Sequence, residues 1–341
     1  SLALSLSDDA YISVKEINDL RRKAVEQLKN LLLSDHRRII KPTEYQNAFN
    51  QDRNNSNQAI QNNQTKQNHH TDIGAVIRSK EQLSVLLNNR KVNRICLDLQ
   101  DDNELKCALT ECQNTGDQLI YVAFPDICRE NKREIWTSRL ALCRRYQING
   151  ILIRTYEMLQ FLKEENYHEE IIADTSLYCM NDKAKDFLTE SGCSSCMFPL
   201  ELNERELWNR NKSQGSILVY GYFPVMHSAQ CLLKTTGKCE HGQNQSMLYL
   251  KDRARKNLHV LTNCKLCYNT IYNSVPLSLH TELDKIKKMN FDTIWLSFTF
   301  EDQKTVLEVL EFYLATDKKM KQSVPDALLN YTKGHFSRGV E

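Results

Sequence analysis

Four cysteines in the second half of the chain have a spacing that could bind a metal. Cys231 and Cys239 lie on either side of Gly237, while Cys264 and Cys267 form a C-x-x-C pair. Gly237 suits a turn that folds the first pair together, and a C-x-x-C segment lets two sulfur atoms face one ion. Two close pairs separated by a variable loop can converge on one four-thiolate site, so the sequence predicts a metal centre at these residues.

The spacing of the four cysteines leaves the metal open, because four thiolates can serve structural zinc or an iron–sulfur cluster. A second C-x-x-C pair, Cys193 and Cys196, lies in a predicted strand, where residues three apart point to opposite faces. We therefore assign that pair to packing. The chain has 12 cysteines in 341 residues, which indicates a reducing, cytoplasmic setting more than a small secreted disulfide scaffold.

A group of cations lies between the cysteine pairs, with Asp252 as the only acid from Lys251 to Lys265. We predict that Arg253 and Lys256 bind substrate by holding phosphates of RNA or another anion; a solvated loop is the alternative. The formal net charge of +2 is too small to indicate nucleic acid by itself, so any basic surface must be local. No segment approaches the roughly 18 apolar residues of a membrane helix, and we expect no membrane partner.

The elements that must position these residues alternate between short β-rich runs and amphipathic helical patterns after His70. This alternation predicts right-handed βαβ units and a parallel sheet, and its repetition favours part of a TIM-like α/β barrel with a cysteine-rich loop region. The predicted strands are residues 73–77, 94–99, 118–124, 150–154, 170–173, 193–198, 217–220 and 293–298. The predicted helices include residues 81–88, 132–146, 156–164, 182–190 and 301–313.

In such a fold the chemistry gathers where strands end and loops begin. That rule selects Asp98, Pro125, Arg154, Asp174, Glu201 and Gly221. Among them we predict Arg154 and Glu201 as the catalytic side chains that orient a substrate. The competing interpretation at each position is a polar residue that only caps a helix or completes a turn.

The amino-terminal part of the chain has a different organisation. Ser13 and Glu16 have the spacing of a capping box, and apolar residues at helical spacing predict a helix over residues 13–32. Residues 46–71 are rich in Asn and Gln and cannot bury enough apolar surface to fold, which predicts a linker. The predicted domains are thus a helical segment (1–45), the linker (46–71) and the barrel portion (72–341).

Several segments resemble the peptidase U32 family, the collagenase-like group. They are Val219–Cys231, Leu250–Arg253, Asn263–Asn273 and Gly334–Glu341. The resemblance covers about residues 72–341, and the helix over residues 13–32 looks like the end of an accessory domain that long members insert. The first part of the family barrel is accordingly expected to lie outside this chain. Tyr222 and Pro224 depart from the usual signature.

The resemblance implies a barrel-like fold with an iron–sulfur cluster, of the 4Fe-4S type, held here by Cys231, Cys239, Cys264 and Cys267. It therefore favours a cluster over zinc. Family members studied as RNA or quinone hydroxylation factors use such clusters, whereas others carry the peptidase name.

Three functions compete at this stage. The first is an iron–sulfur-dependent enzyme that hydroxylates a base in tRNA or rRNA, and the second is a peptidase acting on a peptide substrate. His227 near Cys231 could form a Cys/His couple for the peptidase, but a cysteine committed to a cluster cannot also be a free nucleophile. The third is a scaffold protein that a metal staples together.

Overall fold

Ser13 and Glu16 close the predicted capping box at the start of helix α1 (Val14–Ser34). The Ser13 amide donates to Glu16 Oε2 at 2.9 Å, and the Glu16 amide donates to Ser13 Oγ at 3.2 Å. The computed structural model describes residues 11–34, 71–115, 117–239, 247–315 and 324–340. Residues 1–10 and 35–45 of the predicted helical segment and nearly all of the predicted linker 46–71 lie outside these residues. The chain divides into two units, residues 1–66 and 67–341, and no residue of α1 is buried.

Eight parallel strands among the described residues close into a barrel within the second unit. Each pairs with the next, and the circle closes where the last strand meets the first. The strands are β1 (Asp72–Ile77), β2 (Arg94–Leu97), β3 (Leu119–Ala123), β4 (Gly150–Ile153), β5 (Glu170–Ala173), β6 (Ser195–Met197), β7 (Gly215–Gly221) and β13 (Thr293–Ser297). This confirms the predicted parallel βα repeat and TIM-like barrel. We expected only a portion of a barrel, but these strands complete the circle.

Helices connect the strands and cover the outside of the barrel. They are α2 (Lys80–Leu87), α3 (Asp102–Thr115), α4 (Arg133–Arg145), α5 (Tyr156–Glu164), α6 (Asp182–Glu190), α7 (Glu204–Trp208), α8 (Leu232–Thr235), α9 (Leu283–Lys288) and α10 (Gln303–Leu314). Side-chain caps begin several of them: Thr155 accepts from the Met158 amide, and Asn181 accepts from the Ala184 amide. No helix in the described ranges is long and apolar enough to cross a membrane.

Large side chains fill the barrel interior. Trp295 on β13 is fully buried and meets Tyr121 of β3 edge to face, with ring centroids 6.3 Å apart. Gly74 on β1 makes room for this ring, since a Cβ atom there would lie 2.5 Å from Trp295. The barrel is therefore a packed core, and open space is confined to its ends.

An antiparallel sheet is inserted between the seventh and eighth barrel strands, and the sequence analysis did not predict it. Its four strands in the described part of the chain are β8 (Pro224–Ser228), β9 (Met247–Lys251), β10 (Asn257–Asn263) and β11 (Tyr268–Tyr272), in the order β8-β11-β10-β9. The short strand β12 (Leu277–Ser278) then pairs antiparallel with β7. Because the insert leaves from the end of β7, it lies at the carboxyl-terminal mouth of the barrel.

Candidate functional site

A network of buried charges occupies the barrel mouth, built from residues that directly follow successive strands. Arg154, after β4, donates from Nη2 to Asp98 Oδ2 at 2.8 Å and from Nε to Asp174 Oδ2 at 2.9 Å. Its Nε also lies 3.4 Å from Asp126 Oδ1. Arg78, after β1, donates from Nε to the same oxygen of Asp98 at 2.8 Å. One guanidinium thus joins three carboxylates, and one carboxylate joins two guanidinium groups.

Electrostatics keep this network ionised. Burial alone would raise the pKa of Asp98, but the nearby charges of Arg154 and Arg78 outweigh it and hold that pKa well below its ordinary value. Arg78 is fixed further by Thr299 Oγ1 at 2.9 Å and by the Tyr272 ring, whose centroid lies 5.4 Å from the guanidinium carbon. The two arginines are therefore rigid, charged donors at the base of the mouth.

A cavity of about 640 Å³ opens above this network and reaches the antiparallel sheet. Its polar wall includes the predicted catalytic residues Arg154 and Glu201, together with Asp174 and His227. Apolar side chains also line the cavity, among them Leu152, Met197, Leu218, Phe223 and Met226. A cavity of this size, largely apolar and with a few convergent polar groups, is typical of a small-molecule or nucleobase site. We call it the mouth cavity.

The four predicted metal-binding cysteines line a second cavity of about 670 Å³, which we call the thiol cavity. Cys231, Cys239, Cys264 and Cys267 share its wall with Lys132, Lys234 and Lys265. Burial raises the pKa of the Cys264 thiol, and the proximity of Cys231, Cys239 and Cys267 raises it further. The structure therefore brings the two distant cysteine pairs to one place. No group of three or more His, Cys, Asp or Glu in the described ranges is arranged to hold a metal ion.

Local structure positions each thiol. Cys231 begins α8, and its sulfur accepts from the Lys234 amide at 3.4 Å. A hydrogen bond stabilises the turn that carries Cys264 and Cys267, in which Asn263 Oδ1 accepts from the Leu266 amide at 3.0 Å. Cys267 has a φ of 54°, a left-handed backbone that turns the chain into β11. The cysteines thus lie on hydrogen-bonded turns at the ends of α8 and β10.

The turn between Cys264 and Cys267 is also attached to the barrel. Arg129 donates from Nη1 to the Leu266 carbonyl at 3.2 Å, and Lys265 Nζ lies 3.2 Å from Asp102 Oδ2. The thiol cavity is therefore fixed relative to the strands that carry the charge network.

A small cavity of about 30 Å³ lies between the other two. It shares Ile135 and Lys265 with the thiol cavity, and it shares Arg78, Asp126 and Arg154 with the mouth cavity. The small cavity therefore has wall residues in common with each of the other two cavities.

Other predicted site residues lie apart from these cavities. Arg253 and Lys256 are exposed in the turn between β9 and β10, where the Lys256 amide donates to Asp252 Oδ1 at 2.7 Å, and neither lines the mouth or thiol cavity.

The Cys/His couple considered for a peptidase is not assembled in the structure. His227 and Cys231 line different cavities, and His227 Nδ1 contacts Thr270 Oγ1 at 3.1 Å.

Sequence reasoning missed Arg78 and Asp126 at the mouth. Arg78 directly follows β1, so the strand-end rule would have found it if it had been applied to that strand. For β3 the rule selected Pro125, the neighbour of Asp126. Tyr268 and Tyr272, which line the small cavity, were also missed, because they lie on the unpredicted strand β11.

Comparisons with known proteins place these features in a family. No curated protein matches the sequence. Among solved structures, a chitinase from Chromobacterium violaceum is similar with a TM-score of 0.35 and 11% identity, over 73% of this chain and 100% of that one. The Bacillus cereus spore cortex-lytic enzyme SleL is similar with a TM-score of 0.38 and 6% identity, over 72% and 74%. TM-scores this low support no conclusion about function.

The sequence profile of Peptidase family U32 matches residues 89–339, which is well over half of the chain. The match spans the charge network from Asp98 onward, the inserted sheet and all four cysteines of the thiol cavity. The chain therefore belongs to peptidase family U32.

Proposed function

We propose that this protein is an iron–sulfur-dependent enzyme that hydroxylates a base of tRNA or rRNA in its mouth cavity. The observation that carries the proposal is the meeting of Cys231, Cys239, Cys264 and Cys267 around one cavity, which is linked to the mouth cavity by a small cavity that shares wall residues with both. Thiolates are the usual ligands of iron–sulfur clusters.

Four thiols that line one cavity form a donor set that suits an iron–sulfur cluster or a zinc ion. The resemblance to peptidase family U32 favours the cluster. Lys132, Lys234 and Lys265 on the same wall would offset the negative charge of four thiolates.

The proximity of the two cavities suits an oxidation. Converting a C–H bond of a base to C–OH takes an oxygen atom from water or another donor and removes two electrons from the carbon, and a bound cluster would pass those electrons to an external acceptor. The side chains of this protein would bind and orient the base. Arg154 is held by Asp98, Asp126 and Asp174, so it offers a hydrogen-bond donor that does not reorganise during the reaction.

The charge distribution favours an RNA base over a free anion. The mouth cavity is lined by three carboxylates, Asp126, Asp174 and Glu201, and by two guanidinium groups, Arg78 and Arg154. Such a cavity would accept an uncharged base and repel phosphate. Phosphates would instead meet the exposed turn between β9 and β10, which carries Arg253 and Lys256.

Aromatic contacts connect that turn to the mouth. Tyr222 lines the mouth cavity, and its ring centroid lies 5.4 Å from that of His259 on β10. His259 in turn meets Tyr249 on β9, with centroids 5.1 Å apart. A flipped base in the cavity and its neighbouring phosphates along the hairpin would thus follow one continuous surface.

The decisive experiment is anaerobic purification followed by visible spectroscopy and by iron and sulfide analysis. We expect broad visible absorption and stoichiometric iron and sulfide, whereas a colourless protein with bound zinc would refute the cluster. Mass spectrometry of nucleosides from cells with and without the gene then tests the reaction. A hydroxylated nucleoside should disappear without the gene, return with the wild-type gene, and stay absent with Cys267→Ser. Unchanged nucleosides together with peptide cleavage by the purified protein would favour the peptidase.

A further inference from the structure

Cys179 and Cys196 bring their sulfur atoms together beside the barrel mouth. The two Sγ atoms lie 3.5 Å apart, and the residues are 1% and 2% exposed. Cys196 is on β6, and Cys179 follows the short 3-10 turn Thr175–Leu177. The sequence offered Cys193 as the partner of Cys196, but the structure pairs Cys196 with a cysteine 17 positions away.

The surroundings make Cys179 the more reactive member of the pair. A hydrogen bond from the Cys196 thiol lowers the pKa of Cys179 against the effect of burial, and the charge of Lys185 lowers it further. Lys185 is 6% exposed, and its Nζ donates to the Asn211 carbonyl at 3.2 Å and also to the Ser213 carbonyl. The hydrogen bond to Cys179 and burial raise the pKa of Cys196. Cys179 is thus the nucleophile, and Cys196 is the resolving thiol.

Both cysteines adjoin residues that line the mouth cavity. Tyr178 precedes Cys179 and lines the cavity from a left-handed backbone with a φ of 50°, and Met197, which follows Cys196, lines it too. The 3-10 turn before Tyr178 is tied to the charge network. Asp174 accepts from the Thr175 amide at 2.7 Å while its other oxygen accepts from Arg154. A movement of Cys179 would therefore be transmitted to Arg154 through the short segment from Asp174 to Cys179.

We propose that Cys179 and Cys196 form a reversible disulfide when hydrogen peroxide enters the mouth, and that this oxidation resets the mouth cavity. The Cys179 thiolate attacks one peroxide oxygen, the O–O bond breaks, and the departing hydroxide takes a proton to become water. The Cys196 sulfur then attacks the sulfur of the Cys179 sulfenic acid. The S–O bond breaks, and the second hydroxide leaves with the Cys196 proton as water. Two thiols lose two electrons, and one peroxide gains them.

The geometry predicts which part of the mouth moves. A disulfide requires the sulfur atoms to approach from 3.5 Å to about 2.05 Å. β6 is held between β5 and β7 by parallel pairing, so the segment from Thr175 to Cys179 has to make most of the shift. Tyr178 and Asp174 move with it, which changes the cavity wall and the position of Arg154.

Peptide mapping of the full chain tests the proposal directly. The reduced protein is treated anaerobically with increasing hydrogen peroxide, its free thiols are alkylated after unfolding, and the digest is analysed by mass spectrometry. We expect a cross-linked peptide pair joining Cys179 to Cys196 at about one equivalent of peroxide, lost again on treatment with dithiothreitol. Cys193→Ala should leave the cross-link intact, and Cys196→Ala should let dimedone trap a sulfenic acid at Cys179. The four cysteines of the thiol cavity lie in other peptides of the digest, so loss of a cluster does not affect the result.

Hydrogen exchange measures the effect on the mouth. Peptides that cover residues 174–180 should change protection between the reduced and oxidised protein, while peptides from α4 should not. Both cysteines remaining freely alkylated after oxidation, or a dominant cross-link from Cys196 to Cys193, would overturn the disulfide. Equal exchange of residues 174–180 in the two states would overturn the coupling to the mouth.

Discussion

Arg154 binds both carboxylate oxygens of Asp98, with Nη2–Oδ2 at 2.8 Å and Nη1–Oδ1 at 3.2 Å. The two residues follow β4 and β2, so this bidentate pair bridges strands that are not neighbours in the barrel. Arg154 also binds Asp174 after β5, and it therefore joins three strand ends around one guanidinium group. This one side chain therefore holds these strand ends together at the mouth of the barrel.

Replacing Arg154 by Met should destabilise the protein by about 3 to 5 kcal/mol, because it leaves buried carboxylates without their partner. Urea unfolding followed by circular dichroism measures the loss. The control is Arg145→Met at the exposed end of α4, which should cost at most about 0.5 kcal/mol. Equal stability of the two variants would show that the network contributes nothing to folding.

The stability of the wild-type protein should depend on Asp98 in acid. The folded pKa of Asp98 lies below its unfolded value, so its ionised form stabilises the protein at any pH above about 4, and this contribution disappears as the pH falls toward the folded pKa. Melting temperatures of wild type and Asp98→Asn, measured from pH 7 to pH 3, test this. The gap between them should be constant above about pH 5 and should shrink below about pH 4. A difference in melting temperature that widens in acid would contradict a stabilising role for the ionised Asp98.

Gly221→Ala should be much more costly than Gly237→Ala, although both glycines have positive φ. A Cβ atom at Gly221 would lie 2.6 Å from the Ser297 carbonyl oxygen, whereas nothing lies within 4 Å of one at Gly237. We expect losses of about 3 kcal/mol and about 1 kcal/mol respectively. Denaturant midpoints give the comparison, and similar losses would mean that the contact between β7 and β13 readily relaxes.

Cys267→Ser should lower bound iron to less than half of the wild-type content while the barrel stays folded, because Cys267 is exposed on a turn outside the core. Iron analysis and far-ultraviolet circular dichroism on the same sample test both parts. Cys107→Ser is the matched control, since Cys107 is also exposed but lies on α3. Unfolding of the whole domain by Cys267→Ser would instead support the metal-stapled scaffold.

Reversing the charge of Arg253 or Lys256 should weaken RNA binding uniformly across sequences and reduce the dependence of log affinity on log salt by about one unit per lost phosphate contact. Filter binding at several salt concentrations measures both effects. Lys304→Glu on α10 is the control, with a side chain that is 82% exposed. If the control and the two variants bind RNA equally well, the turn between β9 and β10 does not bind RNA.

Much of the barrel follows from local sequence pattern. The predicted strands 150–154 and 170–173 and the predicted helices 156–164 and 182–190 agree with the structure to within one residue. Buried parallel strands are short, apolar and bounded by polar residues, so each is recognisable without its neighbours. The strand-end rule then placed Asp98, Arg154 and Asp174 on one edge before any contact was known.

The inserted sheet and its consequences were not predictable in the same way. β8 and β9 are mostly exposed or half-buried, and their side chains do not give the apolar runs of the barrel strands. The meeting of Cys179 with Cys196 depends on the pairing of β5 with β6, which brings residues distant in sequence side by side. The turn that carries Cys264 and Cys267 could be expected from the sequence, because a C-x-x-C turn is local.

The antiparallel pairing of Gly221 with Leu277 has a consequence for how such proteins diversify. The chain departs from the barrel and returns to it at adjacent points, so the 222–276 excursion has its two ends side by side. A segment anchored in this way can be lengthened, shortened or transplanted without altering the spacing of the barrel strands. Chimeras joined at these two residues would exchange one inserted segment for another on an unchanged barrel.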